Sequence, residues 1–402
     1  MASKRTKLAL ESVRVSNFKA IRQSKTVKFT PLTVFIGDNG SGKSSLLEAL
    51  ETLQILSEQG LDAAMNRWRG FEFVWNQSAR GNSQQRVYNP TSLVAPPGPR
   101  IWYTNPITLE IRGHVGAKKY QATSEISLEQ KRTTQSLLIT QETATVAGTI
   151  HMERSFPGAV ALQYLDGRPF DDAQLSEGES ALSRALDGFL EDWQFVLLVP
   201  ELMGVPTPQK RTSGTVRLAR DGSNIADFLR DIFNQDPTAF EGIVEAFKEV
   251  VPYARDLQTQ VAQELQRTVY LEMTESNFKL PGWMLSTGTI RVLAILALLR
   301  HPKPPPLIFI EELENGLDPR TLNLVVEEIR RAVESERTQV VITTHSPYLL
   351  DLLSLSQIVV VERIEGQPVF SRPADQKALE GWLEKFSPGQ LYTMGRLRGG
   401  AV

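Results

Sequence analysis

One stretch constrains this chain more than any other: Gly37-Asp38-Asn39-Gly40-Ser41-Gly42-Lys43-Ser44 matches G-x-x-x-x-G-K-[ST] in full. The apolar run LTVFIG leads into it. The segment SLLEALETLQILSEQG follows, with Leu46, Leu47, Leu50, Leu53 and Leu56 on one broad helical face. Strand, glycine-rich turn and helix in that order predict a phosphate cradle. The glycines let the backbone curl so that successive N–H groups face a phosphate chain. Lys43 is placed to reach the β- and γ-phosphates, and the Ser44 hydroxyl to ligate Mg2+. Ser45 lies in the first turn, where the helix start adds its positive end. Gly37, Asp38, Asn39, Gly40, Ser41, Gly42, Lys43, Ser44 and Ser45 are the candidate nucleotide-binding set, and Lys43 is also a candidate catalytic cation.

A second stretch, PPLIFIEELENGLDPR, raises a charge problem. The apolar run Leu307-Ile308-Phe309-Ile310 ends in two adjacent carboxylates, Glu311 and Glu312. Like charges repel, and burying either is costly unless it is paired or holds a metal. A Mg2+–nucleotide complex is a positive object they can face. In open α/β sheets ligands sit beyond the carboxyl ends of the strands. The glycine-rich loop, the two glutamates and His345 (at the end of QVVITTH) each follow an apolar strand. Glu311, with Ser44, is therefore the candidate metal ligand. Glu312 is the candidate that orients an attacking water, because phosphoryl transfer rests on positioning and electrostatics. His345 is the candidate hydrogen-bond partner of a γ-phosphate. The plainer alternatives are carboxylates that cap a turn in solvent and a structural histidine.

MLSTGTIRVLAILALL offers a third clue. Ser286, Thr287 and Gly288 begin a strongly apolar helix, whose free N–H groups and serine hydroxyl can grip an anion. Taken alone, Ser286 reads equally as an ordinary N-cap. Asp318-Pro319 and Ser346-Pro347 also read as an N-cap followed by a first helical residue.

Composition excludes several other chemistries. The chain has no cysteine, so thiol catalysis, disulfides and thiolate metal sites are absent. Its four histidines (His114, His151, His301, His345) are scattered, which argues against a histidine-built metal site. A net charge of −2 leaves no global basic field for nucleic acid, only local patches. The apolar run Val292–Leu299 is too short to span a bilayer. The basic N-terminus MASKRTKLALES lacks the apolar stretch of a signal peptide, so a cytoplasmic protein without membrane contact is expected.

Along the chain, LESVRVSNF and TVKFT alternate in strand fashion, and PTSLVAPPGPR (90–100) reads as a Pro-rich loop. Thr/Ile/Val/Tyr-rich stretches up to residue 170 predict an antiparallel β lobe. SNIADFLRDIF and DPTAFEGIVEAFKEVV read as helices, the second capped by Asp236 and opened by Pro237. From Pro281 onward helices and strands alternate, implying a parallel sheet. The expected division is 1–114 for a first ATPase lobe, 115–175 for the β lobe, 176–280 for a mixed helical region and 281–402 for a second ATPase lobe.

Glycine-rich loop, LSTG, IFIEE, GLDP and TTH occur in this order, and here the chain resembles the ATP-binding-cassette ATPases of the RecF/SMC/OLD group. Stand-alone RecF-like AAA-family ATPases are the nearest likeness, through NFKAI, GWMLSTGTIRVLAILALL, DGSNIADFLRDI and FSPGQLYTMGRLRGG. The resemblance implies an α/β P-loop NTPase of ABC-ATPase type, with a mixed or parallel sheet, an inserted antiparallel β lobe and a helical subdomain. LSTG stands where the signature motif stands, IFIEE at the Walker B position, ENGLDP at the D-loop and His345 at the H-switch. ATP and Mg2+ are the implied cofactors. Ser286 and Gly288 would bind the γ-phosphate of ATP held by another copy, with Asp318 near it, in a head-to-tail homodimer.

Two departures stand out: Leu313 where the family often has Pro, and Asp318 where it often has His. Gln194 in WQFVLLVPELM is a guess for the Q-loop glutamine. The short tail after His345 contains no D-x-D, so no nuclease domain is expected in this chain.

Two uses of ATP stay open. One is a switch acting on DNA, in maintenance or in defence against foreign DNA. Its candidate basic contacts are Lys4, Arg5, Lys7, Lys118, Lys119, Lys210, Arg211, Arg396 and Arg398. The other is an ATP-gated module that controls a separate effector protein, such as a nuclease or toxin, without touching DNA.

Overall fold

The computed structural model describes residues 7–78 and 102–398, apart from 131–133, 148–149, 156–159, 166–167, 177, 211, 213, 263–266 and 377–378. The Pro-rich stretch 90–100 and Lys4, Arg5 and Arg211 lie outside the described residues. The chain divides into two units. One comprises Met1–Thr30, Gly37–Trp193 and Val360–Ser371, the other Pro31–Ile36, Gln194–Val359 and Arg372–Val402.

The second unit is built on the apolar runs. Four strands lie parallel in the order Gln194–Val196, Leu307–Ile310, Gln339–Thr344, Leu32–Ile36. Every residue in them is buried, as expected for a parallel sheet covered on both faces. Register aligns their ends: Val196 pairs with Ile310, Ile310 with Ile342, and Thr344 with Ile36. All four strands therefore end on one edge. Phe195 and Phe309 stack across the sheet at 4.3 Å between ring centroids.

Three expected helices follow their start signals. Ser286 caps Thr287–Leu299, Asp318 caps Pro319–Glu334 and Ser346 caps Pro347–Asp351, each accepting backbone N–H groups of the first turn. Thr287–Leu299 is buried on all sides from Thr289 onward, which fits an apolar sequence with no polar stripe. Helices Ile225–Gln235 and Pro237–Val250 also form as read, with Asp236 accepting from the Ala239 N–H.

The same region also contains an unread four-stranded antiparallel sheet of Thr207–Pro208, Ala254–Ala262, Thr268–Glu275 and Phe278–Pro281. Thr268–Glu275 buries Val269, Leu271 and Met273 at period two. Its partner strand ARDLQTQVA carries mostly polar residues, so periodicity alone gave no pair for it.

The first unit holds a ten-stranded antiparallel sheet. The predicted β lobe supplies most of it, from Ile107–Val115 to Arg168–Gln174. The N-terminal strand Ser12–Phe18 joins beside Ile107–Val115, a long-range pairing the sequence pattern does not announce. The helix Lys43–Gln59 belongs to this unit. Gln54 fixes it by donating to the Leu190, Glu191 and Trp193 carbonyls.

Candidate nucleotide site

The glycine-rich loop has the shape its sequence requires. Gly40 and Gly42 sit at φ 72° and 110°, the left-handed region that a Cβ resists. A Cβ on Gly37 would lie 2.1 Å from the Val361 carbonyl oxygen, and one on Gly42 2.5 Å from Pro368 Cγ. The hairpin of Ile358–Ile364 and Gln367–Ser371 thus backs the loop closely, and Arg363 adds a hydrogen bond to the Gly40 carbonyl. On the other side Gly40 faces open space.

The donors point the right way for an anion. Gly42 starts the helix with no side-chain cap and no acidic residue in the first turn, so the positive end of the helix meets no fixed carboxylate of its own. The Ser41 hydroxyl is buried without a hydrogen-bond partner. Lys43 is buried and donates to the Gly37 and Asp38 carbonyls at 2.7 and 3.1 Å. Asp38, Asn39 and Ser44 are exposed, and Ser45 is half-buried. A cradle closed by small residues, an orphaned hydroxyl and a lysine folded over its own loop fits a phosphate chain.

In the second unit, Glu311 and Glu312 follow Leu307–Ile310, and His345 follows Gln339–Thr344, on the edge where Leu32–Ile36 also ends. The two carboxylates are treated differently. Arg220 pairs with Glu311 at 2.6 Å. Glu312 turns to φ 51°, its N–H donates to Thr343 Oγ1 at 3.1 Å, and its carboxylate accepts from the Asn315 side chain. The chain thus breaks its extended course between the two charges. His345 is exposed, and its N–H donates to Glu314 Oε1 at 2.6 Å.

Leu313 has a physical reason to differ from proline: its N–H donates to the Thr343 carbonyl at 3.4 Å, which proline cannot do. Ser286 is exposed at its helix start and pairs with Thr289 Oγ1 at 2.7 Å. Gly288 approaches the next loop so closely that a Cβ would lie 2.5 Å from the Gly316 carbonyl oxygen. Asp318 is engaged as a cap: it accepts from the Arg320 and Thr321 N–H groups and from Thr321 Oγ1, bonds that hold its carboxyl below the usual range.

Gln194 is buried at the start of its strand, with its amide on the Phe195 and Leu218 carbonyls, away from the carboxyl edge. Of the basic candidates, Lys118 and Lys119 are exposed, Lys210 donates to the Thr215 carbonyl, and Arg396 stacks over Trp382.

Sequence reasoning missed Arg220, Arg291, Thr343 and Asn315. Arg220 immediately precedes DGSN, where Asp221 accepts from the Ser223 N–H and Asn224 ties Ala219 and Arg217. That polar turn was a readable signal for a shaped loop, though not for its partner.

A protein-family model described as "AAA domain, putative AbiEii toxin, Type IV TA system" matches residues 32–351, well over half of the chain. The chain belongs to this AAA-domain family. Its fold is that of an ABC-type P-loop ATPase of the RecF/SMC kind. This AAA-domain protein resembles the crystal structure of "the SmcHead bound to the C-winged helix domain of ScpA" at TM-score 0.54 and 13% identity, covering 90% of this chain and 97% of that one. The SMC head domain from Thermotoga maritima matches at 0.41 and 14% identity, with 90% and 98% coverage. An SMC head with an extended coiled coil, bound to the C-terminal domain of ScpA from Pyrococcus furiosus, matches at 0.46 and 12%, with 94% and 99% coverage. No curated protein matches this family member. Among its described residues, no helix is long and apolar enough to cross a membrane.

Proposed function

We propose that this chain binds and hydrolyses ATP as a switch, forming a homodimer that holds ATP between its two copies, and that the switch acts on DNA in maintenance or in defence against foreign DNA. One observation carries the reading: the glycine-rich loop, the glutamate pair and His345 continue from neighbouring parallel strands that end on the same edge. Bound Mg2+–ATP would supply the phosphoanhydride bond and the metal's charge. In this reading the backbone of residues 37–42, Lys43 and Ser45 hold the phosphates, while Ser44 and Glu311 hold the metal. Glu312 orients and polarises the attacking water, and His345 contacts the terminal phosphate. Ser286 and Gly288 grip the nucleotide of the other copy, with Asp318 beside them. ATP then shifts the population toward the dimer by its differential affinity for that state. In this reading residues 1–114 and 281–402 are the two ATPase lobes, 115–175 is an inserted β lobe and 176–280 a mixed helical region.

The test is light-scattering mass of the Glu312→Gln variant with and without Mg2+–ATP, each repeated with a short DNA duplex. A monomer-to-dimer shift on ATP is expected, and the Ser286→Arg change should abolish it. A mass that ignores ATP in both proteins refutes the shared site. A further shift with DNA, weakening steeply with salt, supports the DNA role.

A second reading, an ATP-gated module for a protein effector, has its own support. The family description speaks of a toxin–antitoxin system, and the SMC head in the first matched structure is bound to a protein domain. ATP-dependent dimerisation without any DNA response favours it.

A further inference from the structure

Arg291 is a costly residue for its place. It lies on the apolar helix Thr287–Leu299, five residues past Ser286, and is only 5% exposed. Beyond the opening Thr287, Gly288 and Thr289, the other residues of that helix are Ile, Val, Leu and Ala. Burying a guanidinium there costs several kcal/mol unless it is paired or hydrogen-bonded. What offsets the cost is a fork of two backbone bonds. Nη1 donates to the Leu198 carbonyl at 2.8 Å, and Nη2 donates to the Glu312 carbonyl at 3.0 Å. The planar guanidinium holds its donors in a rigid fork, which the single, flexibly tethered ammonium nitrogen of lysine does not reproduce.

The residue it grips is unusual. Glu312 is in the left-handed region, with its N–H on Thr343 and its carboxylate on Asn315. Its backbone is therefore held from one side by the strand that ends at His345 and from the other by the helix that begins at Ser286. The following loop is part of the same link. Gly288 and Gly316 are in close approach, and Glu314 accepts from the His345 N–H. Burial pushes the Arg291 guanidinium down from its ordinary value, and the charges of Glu312, Glu314 and Glu201 act against that.

We propose that Arg291 is a positioning residue that transmits the state of the Ser286 helix start to the backbone of Glu312. This rests on the reading above, in which Ser286 acts on the nucleotide of the other copy and Glu312 on that of its own. When Ser286 engages, any shift of its helix is passed through a rigid fork to the Glu312 carbonyl. Each copy then readies its own carboxylate only when it is docked on a partner's nucleotide. Hydrolysis becomes cooperative, while nucleotide binding by the glycine-rich loop does not depend on Arg291.

The experiment uses the full chain as wild type, Arg291→Lys and Arg291→Met. ATP hydrolysis is measured against ATP concentration, and dimerisation by light scattering in the Glu312→Gln background. Cutting the link should lower kcat about 10- to 100-fold, in the range typical of losing one positioning interaction. KM should stay within roughly twofold, the rate curve should lose its sigmoidal form, and the ATP-dependent mass shift should persist. Arg291→Lys is the decisive variant, since it keeps the charge and N–H donors but loses the rigid fork, and it stays informative if Arg291→Met does not fold. A folded Arg291→Lys protein with wild-type kcat and cooperativity overturns the inference. So does one that fails to fold, or that loses dimerisation and hydrolysis together, because the residue is then merely structural. A wild-type chain that neither hydrolyses ATP nor dimerises refutes the underlying reading and this inference with it, and no variant is needed to see that.

Discussion

Glu312 offers a clean test of stored strain, because one atom decides the outcome. At φ 51° a residue with a Cβ pays about 1–2 kcal/mol relative to the right-handed conformation. Glu312→Ala and Glu312→Gly both delete the carboxylate and its Asn315 contact. Both keep the backbone bonds to Thr343 and Arg291. Only the Cβ separates them. Glycine releases the conformational cost, but it loosens the unfolded chain by roughly 0.4–1 kcal/mol. The difference leaves the glycine variant more stable than the alanine variant by about 0.5–1 kcal/mol. Urea unfolding of the two proteins, followed by tryptophan fluorescence, measures it directly. If the alanine variant is equally or more stable, no strain is held at this position. Both variants should have lost hydrolysis, so their stability difference reads the backbone strain at this position separately from activity.

Further outcomes follow from neighbouring contacts. Arg220→Met removes the 2.6 Å partner of a largely buried Glu311 and should cost about 1–3 kcal/mol, less than a fully buried pair; added Mg2+ should recover part of this loss in urea titrations. Gly288→Ala should destabilise by about 1 kcal/mol although alanine is the better helix former, because its Cβ would meet the Gly316 carbonyl at 2.5 Å; an unchanged melting curve would refute that close packing. In the first unit, burial pushes the Glu142 carboxyl up, against the opposing help of Ser180, the Ala181 N–H, Arg154 and Ser124. A raised native pKa favours the protonated form, so this group's contribution to stability is complete below its ordinary value near 4.5 and is lost as pH rises through the native one. Relative to Glu142→Gln, the wild type should therefore lose unfolding free energy as pH climbs above that value, and parallel pH profiles would refute it.

What could be read from the sequence had a local cause. The loop from Gly37 to Ser44 is legible because its glycines, lysine and serine act through backbone shape within eight residues. Helix starts at Ser286, Asp318 and Ser346 are legible because a cap bonds to N–H groups two or three residues on. Three of the buried parallel strands, Leu32–Ile36, Leu307–Ile310 and Gln339–Thr344, announce themselves as largely apolar runs, whereas Gln194–Val196 gave no such signal. What stayed hidden depends on partners distant in the chain. Nothing near Ser12–Phe18 says that it pairs with Ile107–Val115. The polar strand Ala254–Ala262 is held by its neighbour more than by its own pattern.

The adjacent glutamates show where that boundary falls within the site. Their position after a buried strand could be read, and so could the need for a positive partner. The answer lies in two residues far apart in sequence. Arg220, from a turn shaped by Asp221 and Asn224, takes Glu311. Arg291, from the Ser286 helix, takes no carboxylate but the Glu312 carbonyl. One glutamate is thus charge-paired, while the other is held by its backbone, with the Asn315 amide on its carboxylate. Arg220 engages the Glu311 carboxylate itself, whereas Arg291 grips the Glu312 backbone carbonyl and fixes the direction of that residue. This difference in attachment, rather than the Glu-Glu pattern itself, supports dividing metal contact from water activation between Glu311 and Glu312.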